Sequence, residues 1–148
     1  MSTGFTPFDT TIQTTQVWLN ELMELMAWQD RHRAYLALRA VLHTLRDRLS
    51  VDEVAALGAQ LPMIVRGFYY EGWHPHGKPV PERKKDEFLA HIRAAFPQEA
   101  EWDAEEVARA VFQLLAVHVS SGEIEKMKHT LPAEIRALWA ENMPLMQL

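Results

Sequence analysis

Residues 34–71 recur at 104–141 with a constant shift of 70 residues and no gap. Eleven of the 38 aligned positions are identical: Ala34, Arg39, Ala40, Val41, Leu45, Ser50, Glu53, Leu61, Pro62, Arg66 and Glu71, each with its counterpart 70 residues on. Ordinary residue usage supplies roughly two or three such matches by chance. Most other apolar positions exchange one apolar residue for another, as in Val54/Ile124, Leu57/Met127 and Tyr69/Trp139. A unit of about 70 residues buries too small a fraction of its surface to be more than marginal alone. The two copies are therefore expected to share a core or a broad interface. Two copies are also too few for a solenoid, which needs about three to bury its faces. The repeat thus predicts a closed, pseudo-symmetric bundle.

Apolar periodicity predicts an all-α chain of about eight helices in two four-helix units. In the first helix, roughly 10–27, Val17, Trp18, Leu22 and Leu25 return about every three or four positions, with Glu21 as the polar exception. The second, roughly 30–49, carries the stripe Tyr35, Leu38, Val41, Leu42, Leu45 and Leu49, with Arg39, His43 and Arg46 on another face. Ser50 and Glu53 match a capping box, in which the two side chains satisfy each other's orphan backbone donors. That opens a third helix to about residue 60. Pro62 fits the first turn of a fourth, ending near Gly72.

The Pro/Gly-rich run WHPHGKPVP (73–81) breaks the pattern. It marks a linker, 73–83, between a first unit (1–72) and a second (84–148), expected to form one compact domain. The fifth helix is expected over roughly 82–96, ended by Pro97, with Phe88, Leu89 and Ile92 standing where Trp18, Leu19 and Leu22 stand in the first. Asp103 with Glu106 and Ser120 with Glu123 cap the sixth and seventh, and Pro132 begins the eighth.

The formal charge of −5 argues against a dedicated nucleic-acid binder, which needs a basic surface. Absence of cysteine excludes disulfides and thiolate zinc sites and suits a reducing compartment. The polar start MSTGFTPFDTTIQTT has no apolar signal-peptide core, and no run approaches the ~20 apolar residues of a membrane span. A cytoplasmic protein is expected. Arg31, Arg33, Arg39, Arg46 and Arg48, with Arg83-Lys84-Lys85, are locally basic, but intervening acids make a solvated helix face the simpler reading.

Nucleophile elbows, P-loops and dinucleotide glycine patterns are all missing, so no catalytic residue and no cofactor is expected. The repeated pairs Arg39/Arg109, Arg66/Arg136, Glu53/Glu123 and Glu71/Glu141 are read as structural: glutamates at helix starts and ends, arginines tying helices together. Residues found in one copy only are better functional candidates. They cluster at 67–77, where Tyr69, Tyr70, Trp73, His74 and His76 could form a partner or ligand surface. The plainer reading makes Phe68 and Tyr69 core and Trp73 a seal between the units. His74 and His76 are weak metal candidates, because two imidazoles on a loop need a third ligand, such as His43 or Asp47.

Within LRAVLHTLRDRLSVDEVAALGAQLPMIVRGFYYEGW (38–73), the residues Arg39, Leu61, Pro62, Arg66, Gly67, Tyr69, Gly72 and Trp73 carry a family pattern. On these the chain resembles the bacterial family known as domain of unknown function 2267, over about residues 18–139. The resemblance implies a tandem all-helical fold and a bacterial cytoplasmic origin, and it brings no catalytic residues. The second copy departs from the pattern at Ala137, Ala140, Asn142 and Met143.

The leading expectation is a non-enzymatic interaction or regulatory module that binds a protein partner, or itself, through the aromatic end of the first unit. The alternative is a small-ligand or metal-binding protein with a pocket between the units. An exposed apolar patch at Tyr69–Trp73 would favour the first, and a concave pocket of convergent Arg, Glu and His the second.

Overall fold

Asp30, Ser50, Asp103 and Ser120 each accept a hydrogen bond from a backbone N–H one turn ahead, and each starts a helix there. The computed structural model describes residues 2–96 and 102–139. Among these residues it contains eight helices and no strand. They are α1 (Thr6–Met26), α2 (Arg31–Arg46), α3 (Val51–Ala59), α4 (Met63–Tyr70), α5 (Lys85–Ala94), α6 (Ala104–His118), α7 (Ser121–Thr130) and α8 (Ala133–Arg136). Pro97, Ala140, Glu141, Asn142, Met143 and Met146 lie outside the described residues. No helix among the described residues is long and apolar enough to cross a membrane.

The helix α1 starts four residues earlier than periodicity predicts, because Pro7 suits its first turn and the Asp9 carboxylate accepts the Thr3 N–H (2.7 Å) and hydroxyl (2.9 Å). It ends at Ala27, which sits left-handed at φ 57°, with Trp28 N–H donating to the Met23 carbonyl. The helix α5 starts three residues later than expected. Glu82 is drawn away from helix geometry by Arg48 and His91, and Glu87 accepts the Lys84 N–H instead (3.3 Å). The expected eighth helix is a single turn.

The central helices α2 and α6 pack on each other, on α1 and on α5, while α3 lies against α4 and α7. Alanines 34, 37, 40, 104, 108 and 110 are buried on α2 and α6 and allow this close approach. Buried apolar residues from both sides of the 73–83 segment belong to one contiguous cluster. Its largest wholly buried members include Trp18, Tyr69, Phe88 and Phe112.

Several bonds recur at positions 70 apart. Arg66 donates from Nε to the Gly58 carbonyl (2.8 Å) and from Nη2 to the Leu61 carbonyl (2.8 Å). Arg136 donates from Nε to Lys128 (2.7 Å) and from Nη2 to Leu131 (2.8 Å). Each guanidinium thus satisfies carbonyls left open at the end of the preceding short helix. Ser50 and Ser120 accept the N–H groups of Glu53 (3.2 Å) and Glu123 (3.3 Å). The return half of the expected capping box is not made at Ser120, whose N–H goes to Gln60 Oε1 (2.8 Å), and both glutamates turn inward.

Candidate functional site

Arg39, His43, Arg46 and Asp47 recur every three or four residues and share one face of the C-terminal half of α2. Facing them are the end of the 73–84 segment and α5. Val80 N–H donates to the Asp47 carbonyl (2.8 Å), which holds that segment against the end of α2. Between them lies a cleft of about 300 Å³, lined on its polar side by those four residues with Arg48, Glu82 and His91. Leu36, Ala95 and Phe96 form its apolar wall.

The basic groups differ in how they are held. Arg46 is buried; its Nη1 donates to the carbonyls of Tyr69 and Glu71 (2.8 Å for the latter), and its Nε donates to Asp47 (3.2 Å). It thereby closes the C-terminal end of α4. Arg48 is also buried, 5.3 Å above the Phe88 ring, with Nη1 on the Thr44 carbonyl (2.9 Å) and Nη2 on Glu82. Its Nε is buried without a partner. Burial pulls the Arg48 guanidinium below its ordinary range, opposed by Glu82 and Asp47. The solvated basic face expected from sequence is therefore corrected at Arg46 and Arg48. Their charge is spent inside the fold, because helix-end carbonyls and carboxylates replace water there.

Arg39 stands half-exposed at the mouth, paired with Glu71 at 2.9 Å, and it holds the Glu71 carboxyl below the usual range. His43 Nε2 lies 2.6 Å from the Phe68 carbonyl. A carbonyl only accepts, so Nε2 carries the hydrogen and Nδ1 keeps a free lone pair when the ring is neutral. Burial, with Arg46 and Arg39 nearby, keeps the ring neutral by lowering its pKa, outweighing the Phe68 carbonyl, which favours the charged form. His91 reaches Glu82 at 3.0 Å. The three arginines are matched by Glu71, Asp47 and Glu82, and of the three Arg39 alone is half-exposed. The Thr44 hydroxyl donates to the Ala40 carbonyl (2.8 Å) and is not free to act as a nucleophile.

A family model described as "Uncharacterized conserved protein (DUF2267)" matches residues 15–138. The chain belongs to that family. The match runs from the middle of α1 past α8, so it takes in every residue of the cleft. A comparison with curated proteins finds no match.

In this DUF2267 chain the aromatic residues singled out from sequence lie mostly inside. Tyr69 is wholly buried and its hydroxyl donates to the Val54 carbonyl (2.7 Å), so it offers no surface. Burial raises the Tyr69 phenol far above its ordinary range. Tyr70 packs edge-on against Tyr69 (centroids 4.9 Å) and lies over Gly58; Trp73 follows at 6.0 Å. Tyr70 and Trp73 are half-buried, and the Trp73 indole N–H is buried without a partner. His74 and His76 are exposed. Among the described residues no three His, Asp or Glu side chains are grouped to hold a metal.

The repeat-pair arginines part company. Arg39 ties α2 to the end of α4, whereas Arg109 bonds Glu105 on its own helix (2.8 and 3.1 Å) and only grazes the Ala137 carbonyl (3.4 Å). Sequence reasoning also missed the His118–Glu21 bond (2.5 Å), where His118 stacks on Trp18 at 4.6 Å. It accounts for Glu21, the polar break in the apolar stripe of α1.

Proposed function

We propose that this chain is a non-enzymatic binding protein that holds a small anionic ligand, with a carboxylate or phosphate group, in the α2–α5 cleft. Its two pseudo-symmetric four-helix units (1–72 and 84–148) would be a duplication enclosing one core, and the cleft falls between them. The observation that carries the ligand reading is the placement on one concave site of Arg39, half-exposed at its mouth, with the cationic Arg46 and Arg48 behind it. A volume of about 300 Å³ is at the small end of ligand sites. The recurrent Arg66/Arg136 and Ser50/Ser120 bonds support the duplication. The interaction reading is less favoured, because the aromatics it relied on are wholly or half buried.

The test is thermal unfolding of wild type and Arg39→Gln with inorganic phosphate or succinate, against sodium chloride at equal ionic strength. A ligand that binds only the folded state stabilises it by about 2.7 kcal/mol at 100 times its Kd. Wild type should gain stability with one of the anions, and Arg39→Gln should lose most of that gain. Equal shifts with chloride, or an unchanged gain in the variant, would sink the cleft as an anion site.

A further inference from the structure

Away from the cleft, α3 meets α7 along a seam that holds two acids. Glu53 and Glu123 are 9% and 7% exposed, each in the first turn of its helix, with its backbone N–H bound by Ser50 or Ser120. The two helices touch along this seam, and the Glu53 carboxyl, second to burial, raises the pKa of Glu123. Glu53 Oε1 and Glu123 Oε2 are buried and accept nothing from a donor group of the described residues. Among those residues no ion pair joins either acid to a base.

The neighbouring groups do not supply the missing charge. On α7, Lys126 draws on Glu123 from an exposed position, and its pull ranks below burial and Glu53. On α3 and α7, Asp52 and Glu125 are acidic and exposed. From α4, Tyr69 faces the pair, but its hydroxyl is committed to the Val54 carbonyl, and Tyr70 lies beside it. Arg46 of α2 lies behind Tyr69 and is bound to the Tyr69 and Glu71 carbonyls and to Asp47. His118 of α6 is held by Glu21. Two ionised carboxylates at this range repel, and a single proton between them turns the contact into a hydrogen bond.

We propose that a proton held by Glu123 and donated toward Glu53 forms a proton-operated clasp between α3 and α7, closed when Glu123 is protonated and loosened when it ionises. Gln60 spans the same seam, donating from Nε2 to Ser120 Oγ (3.1 Å) and accepting the Ser120 N–H (2.8 Å). It is the strap that keeps the helices together when the clasp opens. Burial first and Glu53 second push the Glu123 carboxyl above the ordinary value of 4.5. A raised folded-state value means that the stabilisation is complete below the unfolded value and is lost as pH rises through the folded one. The clasp and the anion cleft are independent readings.

The experiment is a carboxyl-carbon NMR titration of the full chain, with wild type, Glu53→Gln and Glu123→Gln. It is joined to amide exchange of α3 and α7 at low and high pH, corrected for intrinsic exchange. The wild-type Glu123 resonance should titrate above the ordinary glutamate range. In Glu53→Gln, whose amide donates to an ionised Glu123, that upward shift should shrink, leaving the part due to burial. Exchange along the seam should quicken with pH in wild type and lose that dependence in Glu123→Gln. Ordinary titration of Glu123 in wild type overturns the clasp without need of any variant. An upward shift undiminished in Glu53→Gln, or pH-quickened exchange that survives Glu123→Gln, overturns it equally.

Discussion

Gly58 is the eighth residue of α3, and a Cβ there would lie 2.5 Å from Tyr70 Oη and 2.9 Å from Tyr70 Cε2 and Cζ. Replacing Gly58 with alanine therefore sets two effects against each other. Alanine is favoured over glycine inside a helix by about 1 kcal/mol. Forcing a methyl into occupied space costs about 1–3 kcal/mol. The Tyr70 ring is the far end of a half-buried side chain, but it is wedged between Tyr69 and Trp73, which limits its retreat. Gly58→Ala should thus destabilise by about 0–2 kcal/mol, the difference of those two terms. In a Tyr70→Ala background the obstructing atoms are gone, and the same substitution should stabilise by up to about 1 kcal/mol. The coupling between the two sites is then about 1–3 kcal/mol, within the range for residues in contact. Urea unfolding of the four proteins reads it from the midpoints at constant m. If Gly58→Ala raises stability equally in both backgrounds, Tyr70 does not occupy the space above α3, and the reading of the aromatic end as an internal ladder fails.

Two further outcomes follow from local geometry. Ala27 holds a left-handed φ of 57°, a conformation that costs an L-residue about 1–2 kcal/mol, so Ala27→Gly should be neutral to about 1 kcal/mol stabilising after glycine's entropy is counted; a drop in Tm would refute the Schellman ending of α1. His43 is held neutral by burial, so its folded pKa lies below the ordinary 6.5. A depressed value means that its stabilisation is present above 6.5 and is lost as pH falls through that value toward the folded one. His43→Gln keeps a donor for the Phe68 carbonyl and should flatten that acid-side loss in urea midpoints, whereas an unchanged pH slope would show that the ring is not desolvated.

Much of the fold was legible because its signals are local. Serine and aspartate caps, prolines in first turns and apolar residues three and four apart act within one turn of chain, and α2, α3, α6 and α7 start where those signals stand. What was misread depends on partners distant in sequence. Nothing near Glu82 announces that Arg48 and His91 will hold it out of α5. Nothing near Ser120 announces that Gln60 will take the N–H that a capping box assigns to Glu123. The cleft was half legible for the same reason. Arg39, His43 and Arg46 read from spacing as one polar face of α2, while the opposing wall comes from a segment and a helix placed by tertiary packing. Arg46 and Arg48 looked like solvated charge because sequence counts charges and not the helix-end carbonyls waiting for them.

On the proposed duplication, identical residues fall into two kinds, and the difference locates the cleft better than unmatched residues do. Arg66 and Arg136 bind carbonyls at the same offsets, so their identity reports a bond needed inside each unit. Arg39 and Arg109 are equally identical in sequence but have different partners, so their identity reports descent while their surroundings have diverged. The physical cause lies in the neighbouring helix. The eight-residue α4 carries its end back over α2, presenting Glu71 to Arg39 and its last carbonyls to Arg46. The four-residue α8 stops short, and Arg109 falls back on Glu105 of its own helix. Position 46 shows the same split: Arg46, which closes α4 and lines the cleft, has Ala116 as its counterpart. Among the described residues a basic cleft therefore forms beside α2, where α4 keeps two turns, whereas α8 keeps one beside α6 and Arg109 stays on its own helix.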